Sequence, residues 1–292
     1  MNSLIFLGTG GSAPTKNRGM PSVALNYNGN LMLFDCGEGT QRQMMRYKIH
    51  YGKVKYIFIS HLHLDHFLGV FGLIQTLKLG GRTEPLEIFL PRGGIKLIEA
   101  IVKIPEFVKM VEFGEGEILK QNNFSITTFL LDHNIETYGF VFQSKNKIKF
   151  NEKKAKSLGM KGKMFTEIQK NGKIIINGKV VKLSDVAETK RGFKISYCPD
   201  TRPSKKTVKY CKESDILIHE AAFLEEDKDQ AQDRKHSTAK EAAQIAKQSK
   251  SKQLMMLHLS PRYKSPENFE KEAKKVFKNS SVAEDGYIVK FA

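Results

Sequence analysis

One stretch constrains this chain more than any other: Ser60-His61-Leu62-His63-Leu64-Asp65-His66. It follows Tyr56-Ile57-Phe58-Ile59, a β-branched and aromatic run of strand length. After it, Phe67, Val70, Phe71, Ile74 and Leu77 recur at helical spacing. Three imidazoles and a carboxylate therefore crowd the carboxyl end of a buried strand. His61 and His63 are two apart, so extended chain puts both on one side. Asp65 and His66 stand where a helix begins and can turn back toward the same point. Neutral imidazole with carboxylate suits zinc or another first-row divalent ion such as manganese. The plain alternative is a polar loop with incidental histidines; the strand–loop–helix context favours the metal.

Other strands end in the same way. Residues 4–7 run into Gly8-Thr9-Gly10-Gly11-Ser12, and the loop continues through Lys16 and Arg18, two cations able to meet phosphates. Residues 23–27 and 31–34 flank Asn28-Gly29-Asn30 as a hairpin. Its second strand ends at Asp35, which is either a carboxylate orienting a ligand imidazole or a helix N-cap. Strands are expected at 86–90, 108–113 and 124–131, the last ending at Asp132-His133. Residues 193–197 lead to Cys198-Pro199-Asp200, and 215–218 to His219-Glu220. His236-Ser237-Thr238 opens a helix over 239–250, with Ser237 or Thr238 as its cap. Residues 253–257 end at His258. His61, His133, Asp200, His219 and His258 thus share one topological position, where layered α/β proteins build their sites. A chain with only eight histidines does not reach that pattern by chance.

The 292 residues suffice for one large α/β domain or two small ones. A net charge of +17 attracts polyanions, with nucleic acid the leading candidate and a merely lysine-rich composition the alternative. Residues 145–182 hold twelve lysines against Glu152 and Glu167. So basic a stretch reads as an inserted, projecting arm with too few apolar residues for a core of its own, or else as a solvated linker. Cys36, Cys198 and Cys211 show no paired spacing, which suits a reducing cytosol. The apolar run 4–7 is too short for a signal or a span, and no later stretch approaches membrane length. A soluble, cytoplasmic chain without membrane association is the expectation.

The box His61-Leu62-His63-Leu64-Asp65-His66, with His133, Asp200 and His258 downstream, resembles the metallo-β-lactamase superfamily. Within it, Leu7-Gly8-Thr9-Gly10-Gly11-Ser12-Ala13-Pro14-Thr15 and Phe34-Asp35-Cys36-Gly37-Glu38-Gly39-Thr40-Gln41 resemble the ribonuclease Z family. So do Ile218-His219-Glu220-Ala221 with His236-Ser237-Thr238, and the closing His258-Leu259-Ser260-Pro261-Arg262-Tyr263. The resemblance implies an α/β fold, an αβ/βα sandwich spanning 1–292 as one domain, with 145–182 as a lysine-rich tRNA-binding arm. It implies an endoribonuclease that removes 3′ trailers from precursor tRNA with two zinc ions per subunit, by hydroxide attack on phosphorus, leaving a 3′-hydroxyl. By position, His61, His63 and His133 would hold one ion, Asp65, His66 and His258 the other, and Asp200 would bridge. Asp65 would also accept a proton, and His236 would be the general acid; apart from the resemblance, charge and position alone point to Glu220 as the group that orients it. Similar proteins are homodimers in which one subunit's arm serves the other's site. Two rivals stand beside this reading. A phosphodiesterase or arylsulfatase on the same scaffold would act on small esters, which need no basic clamp. A non-catalytic RNA-binding module would not need a complete ligand set.

Overall fold

The computed structural model describes residues 2–291. Gln121–Ser125 and Gln143–Phe193 form a smaller compact unit, and the remaining described residues form a larger one. The larger unit is built on two seven-stranded sheets. The first runs, edge to edge, Ile288–Phe291, Asn2–Gly8, Ser22–Tyr27, Asn30–Phe34, Val54–Phe58, Leu86–Leu90 and Val108–Glu112. Its first four strands are antiparallel neighbours and its last four are parallel. The second runs Ser280–Val282, Leu254–Leu257, Ile216–Glu220, Lys194–Cys198, Tyr138–Ser144, Phe124–Leu130 and Gly116–Lys120.

Both faces of the central strands are buried, which is why they read as unbroken apolar runs rather than alternating ones. Inward residues are aromatic: Phe34 and Phe58 meet Phe140 at ring distances of 5.7 and 5.8 Å, and Phe34 meets Tyr197 at 5.9 Å. Outward residues are aliphatic. Leu33, Ile57 and Ile88 pack with Val70, Leu73 and Ile74 of the helix Gly69–Leu79. Leu217, Leu254 and Met256 pack with Ala242, Ala243 and Ala246 of Ala239–Gln248 and Phe269 of Glu267–Val276. Helix, sheet, sheet, helix is the expected αβ/βα layering.

The smaller unit corrects one expectation. Its two hairpins, Lys147–Phe150 with Ala187–Lys190 and Lys173–Ile176 with Lys179–Lys182, and three short helices enclose a core of their own. Ala155, Met160, Ile168, Ile174, Ile176, Val181 and Val186 are buried in it. Alternation explains this: Ile174 and Ile176 point in while Lys173 and Ile175 point out, so half of a lysine-rich strand suffices. Asn177 and Gly178 both take positive φ, 49° and 73°, closing the second hairpin as a type I′ turn demands. The unit is also wider than 145–182, because Ala187–Lys190 must return to pair with Lys147–Phe150.

Cys198 and Cys211, without paired spacing in sequence, lie with their sulfurs 3.4 Å apart as buried free thiols. Among the described residues no helix is long and apolar enough to cross a membrane.

Candidate metal centre

The loop after Val54–Phe58 starts the site. Ser60 donates its N–H to Asp35 Oδ1 at 2.8 Å and its hydroxyl to Asp35 Oδ2 at 3.0 Å. With that hydroxyl proton committed, His61 Nδ1–H donates to Ser60 Oγ at 2.8 Å, and His61 Nε2 keeps its lone pair. His66 Nδ1–H donates to Asp35 Oδ2 at 2.8 Å, and so does the Tyr197 hydroxyl at 2.7 Å. His133 Nδ1–H donates to the Lys235 carbonyl at 3.0 Å. Each of these imidazoles has one nitrogen anchored and the other aimed inward, the arrangement that fixes a metal-binding tautomer.

The inward atoms form two groups. His61 Nε2 and His133 Nε2 stand 3.1 and 3.3 Å from His63 Nδ1. Asp65 Oδ2 stands 3.7 Å from His66 Nε2 and 3.5 Å from His258 Nε2. Asp200 faces both. Its Oδ2 lies 3.7 Å from His61 Nε2 and from His133 Nε2, while its Oδ1 lies 3.2 Å from His66 Nε2 and 3.0 Å from His258 Nε2. Within each set of His61, His63, His133 and Asp200, and of Asp65, His66 and His258, the donor atoms lie within 4.8 Å of one another.

Whether a metal suits these residues is answered by their unmet bonding. His66 Nε2, His258 Nε2 and Asp200 Oδ1, the atoms that face the centre, are buried without a hydrogen-bond partner. Such orphans are costly in a protein interior unless something else satisfies them. A nitrogen- and oxygen-binding divalent cation does, and zinc fits the donor set. The electrostatics agree. Burial, with His66, His63 and His133 nearby, holds the His61 pKa well below that of free imidazole, leaving it the neutral ligand form. Burial likewise lowers His63 and His133. Burial alone would raise Asp200, yet the surrounding His258, His66 and His61 hold it well below the carboxylate range. Burial opposes charge on His66 too, but Asp200 and Asp35 push its pKa well up. Two carboxylates here require positive charge, from a proton or from a metal ion.

His236 has a different setting. Its Nδ1 bonds Glu220 Oε1 at 2.8 Å, and its Nε2 lies 4.0 Å from Asp200 Oδ2. Burial lowers its pKa, but the Glu220 carboxylate outweighs burial and raises it to about 9. Glu220 is fully buried and held in place by the N–H groups of Thr201 at 2.8 Å and Ala222 at 3.0 Å.

All seven expected ligand residues and His236 thus converge. His219 does not. It lies inside Ile216–Glu220, paired in register with Cys198 and Met256, on the face that packs against the helices. A strand end names a position along the sheet but not a face, and period-two alternation turns His219 away from Glu220. The choice at Asp35 is settled: the cap of Thr40–Arg46 is Gly39, and Asp35 serves the imidazoles. Sequence reasoning missed Ser60, Tyr197 and Gly11. Ser60 was visible inside the box. Gly11 is required because a Cβ there would come within 2.4 Å of His258 Nδ1.

Two face-to-face sheets flanked by helices, with a histidine–aspartate cluster at the strand ends, define a protein of metallo-β-lactamase fold. A Bacillus subtilis protein of that fold superposes with a TM-score of 0.73 at 20% identity, covering 99% of this chain and 98% of the other. The short form of human tRNase Z superposes at 0.70 with 27% identity, covering 99% and 98%. The ribonuclease Z of Archaeoglobus fulgidus is 40% identical over 291 residues, 97% of this chain and 95% of that protein. That of Thermococcus sibiricus is 41% identical over 285 residues, 94% and 92%. This chain belongs to the ribonuclease Z family. Residues 2–171 also match the family described as anti-Pycsar protein Apyc1, a match that includes the histidine box and His133 and stops before Asp200.

Proposed function

We propose that this chain is a zinc-dependent endoribonuclease that removes the 3′ trailer from precursor tRNA and leaves the tRNA with a 3′-hydroxyl. The observation that carries the reading is Asp200, whose two oxygens face two separate sets of imidazoles in a ribonuclease Z chain. His61, His63 and His133 would hold one zinc, Asp65, His66 and His258 a second, and Asp200 both. Two such ions supply a water of lowered pKa and neutralise charge at phosphorus. Asp65, whose Oδ2 is held by the Ser12 N–H at 2.9 Å, takes up the proton of the attacking water. His236 gives a proton to the departing 3′ oxygen, and Glu220 keeps it charged until then.

The lysines of the smaller unit grip tRNA phosphates, an affinity set by shape and weakened by salt. Their number, twelve within 145–182, exceeds what a small ester would need. The working form is a homodimer, and the three free thiols suit the cytoplasm. Elemental analysis paired with cleavage of a precursor tRNA transcript tests the whole reading. About two ions per chain and a single cut at the trailer junction are expected. Fewer than about one ion, or an uncut transcript, rejects it.

A further inference from the structure

The turn before the helix Ala239–Gln248 serves the centre twice. The Lys235 carbonyl anchors His133, and the next residue presents the His236 ring. Lys235, at φ 59°, is the left-handed residue that closes the helix Lys228–Asp233, where the Lys235 and His236 N–H groups donate to the Gln232 and Ala231 carbonyls at 3.1 and 2.8 Å. Arg202 Nη1 donates to the His236 carbonyl at 2.5 Å and to Glu241 Oε2 at 2.7 Å, while Nη2 donates to Glu241 Oε1 at 2.6 Å. The two side chains are 13% and 8% exposed. Glu241 is itself fixed, since its Oε2 accepts the Thr238 N–H at 2.9 Å in a capping box. The Arg202 backbone N–H donates to the Asp132 carbonyl at 2.8 Å, just before His133. Thr201 binds Glu220 through its N–H, and its carbonyl accepts the Ser237 hydroxyl at 2.5 Å. Asp200, Thr201 and Arg202 therefore touch, in turn, the imidazole cluster, the partner of His236 and the backbone of His236.

We infer that Arg202, braced by Glu241, is a positioning residue for the proton-transfer step: it clamps the His236 carbonyl and so holds the ring that follows the helix end against Glu220. It touches neither substrate nor reacting atoms. Only a planar fork reaches a carbonyl and both carboxylate oxygens together, so lysine cannot replace it. The inference rests on His236 being the proton donor of the proposed reaction.

The test uses the full chain with Arg202→Lys, Glu241→Gln, His236→Ala and the double variant Arg202→Lys/His236→Ala. Rates are measured on a precursor tRNA transcript and on a nitrophenyl phosphodiester, ions per chain by elemental analysis, and the His236 Nδ1–H resonance in histidine-labelled protein. Arg202→Lys is expected to lower kcat on the transcript by about 10²-fold, the typical cost of an ångström of misplacement, with KM and ion content unchanged. The nitrophenyl ester, whose leaving group needs no proton, should lose less. The His236 resonance should shift, and the double variant should cleave no more slowly than His236→Ala alone. An unmoved resonance, equal losses on both substrates, a shed ion, or full extra loss in the double variant overturns the inference. Should His236→Ala cleave at full rate, the proton-donor reading itself fails, and the resonance alone then decides whether Arg202 holds the ring. Glu241→Gln keeps the size and the cap acceptor, so it reports the same effect if Arg202→Lys does not fold.

Discussion

The metal centre and the smaller unit carry charge in opposite ways. At the centre, His61, His66, Asp200 and His258 are at most 3% exposed, and His66 Nε2, His258 Nε2 and Asp200 Oδ1 are left for a cation. In the smaller unit the buried residues are apolar and the lysines lie on the outside of a small core. The first arrangement depends on position to a fraction of an ångström, because desolvated groups that lose a partner cannot turn to water. The second depends on summed charge, because exposed lysines act through a screened field and substitute for one another. Damage at the centre should therefore be abrupt, and damage in the smaller unit gradual.

The sharpest version of that contrast is Asp200→Ala. The variant should shed ions from both groups and lose more transcript cleavage than the about 10⁴-fold that bounds one proton donor. Retention of a full ion complement by mass spectrometry of the native protein would break the comparison at its strongest point.

His236→Ala comes next. Both ions and transcript binding should persist while cleavage falls by about 10²–10⁴-fold, with a smaller loss on the nitrophenyl ester. A single-turnover assay on the two substrates separates these outcomes.

Asp35→Asn removes the charge that orients His66 and, through Ser60, His61. Outer partners of this kind are worth about 10–100-fold in metal affinity, so zinc should leave at lower chelator concentration. A chelator titration unchanged from the parent would show that Asp35 only packs.

The smallest effect belongs to the other region. Lys173→Gln with Lys179→Gln, on the exposed sides of one hairpin, should weaken transcript binding only several-fold and leave ester hydrolysis untouched. The slope of log affinity against log salt should fall by about 0.9 for each duplex phosphate that the variant no longer neutralises. An abrupt loss from this pair would mean that the lysines act as placed groups rather than as a field.

The share of all this that was legible in sequence follows from range. The box at residues 60–66 was readable because its geometry is local: strand spacing puts His61 and His63 together, and a helix start returns Asp65 and His66. The apolar runs announced buried strands for the same reason, and the charge of the smaller unit is a simple sum over its residues. What needed the tertiary structure was any matter of faces and of distant partners. His219 and Glu220 are adjacent and look alike in sequence, yet only Glu220 faces His236. Asp35 reaches residues 25, 31 and 162 positions away, and no local pattern chooses between that and a helix cap. Cys198 meets Cys211 only because a strand and the turn after a helix are packed together. A core forms in a stretch that looked too basic because alternation hides its isoleucines and turns its lysines out. Local spacing is set by bond geometry, which the sequence carries; the choice of face and partner is set by the packing of the whole chain.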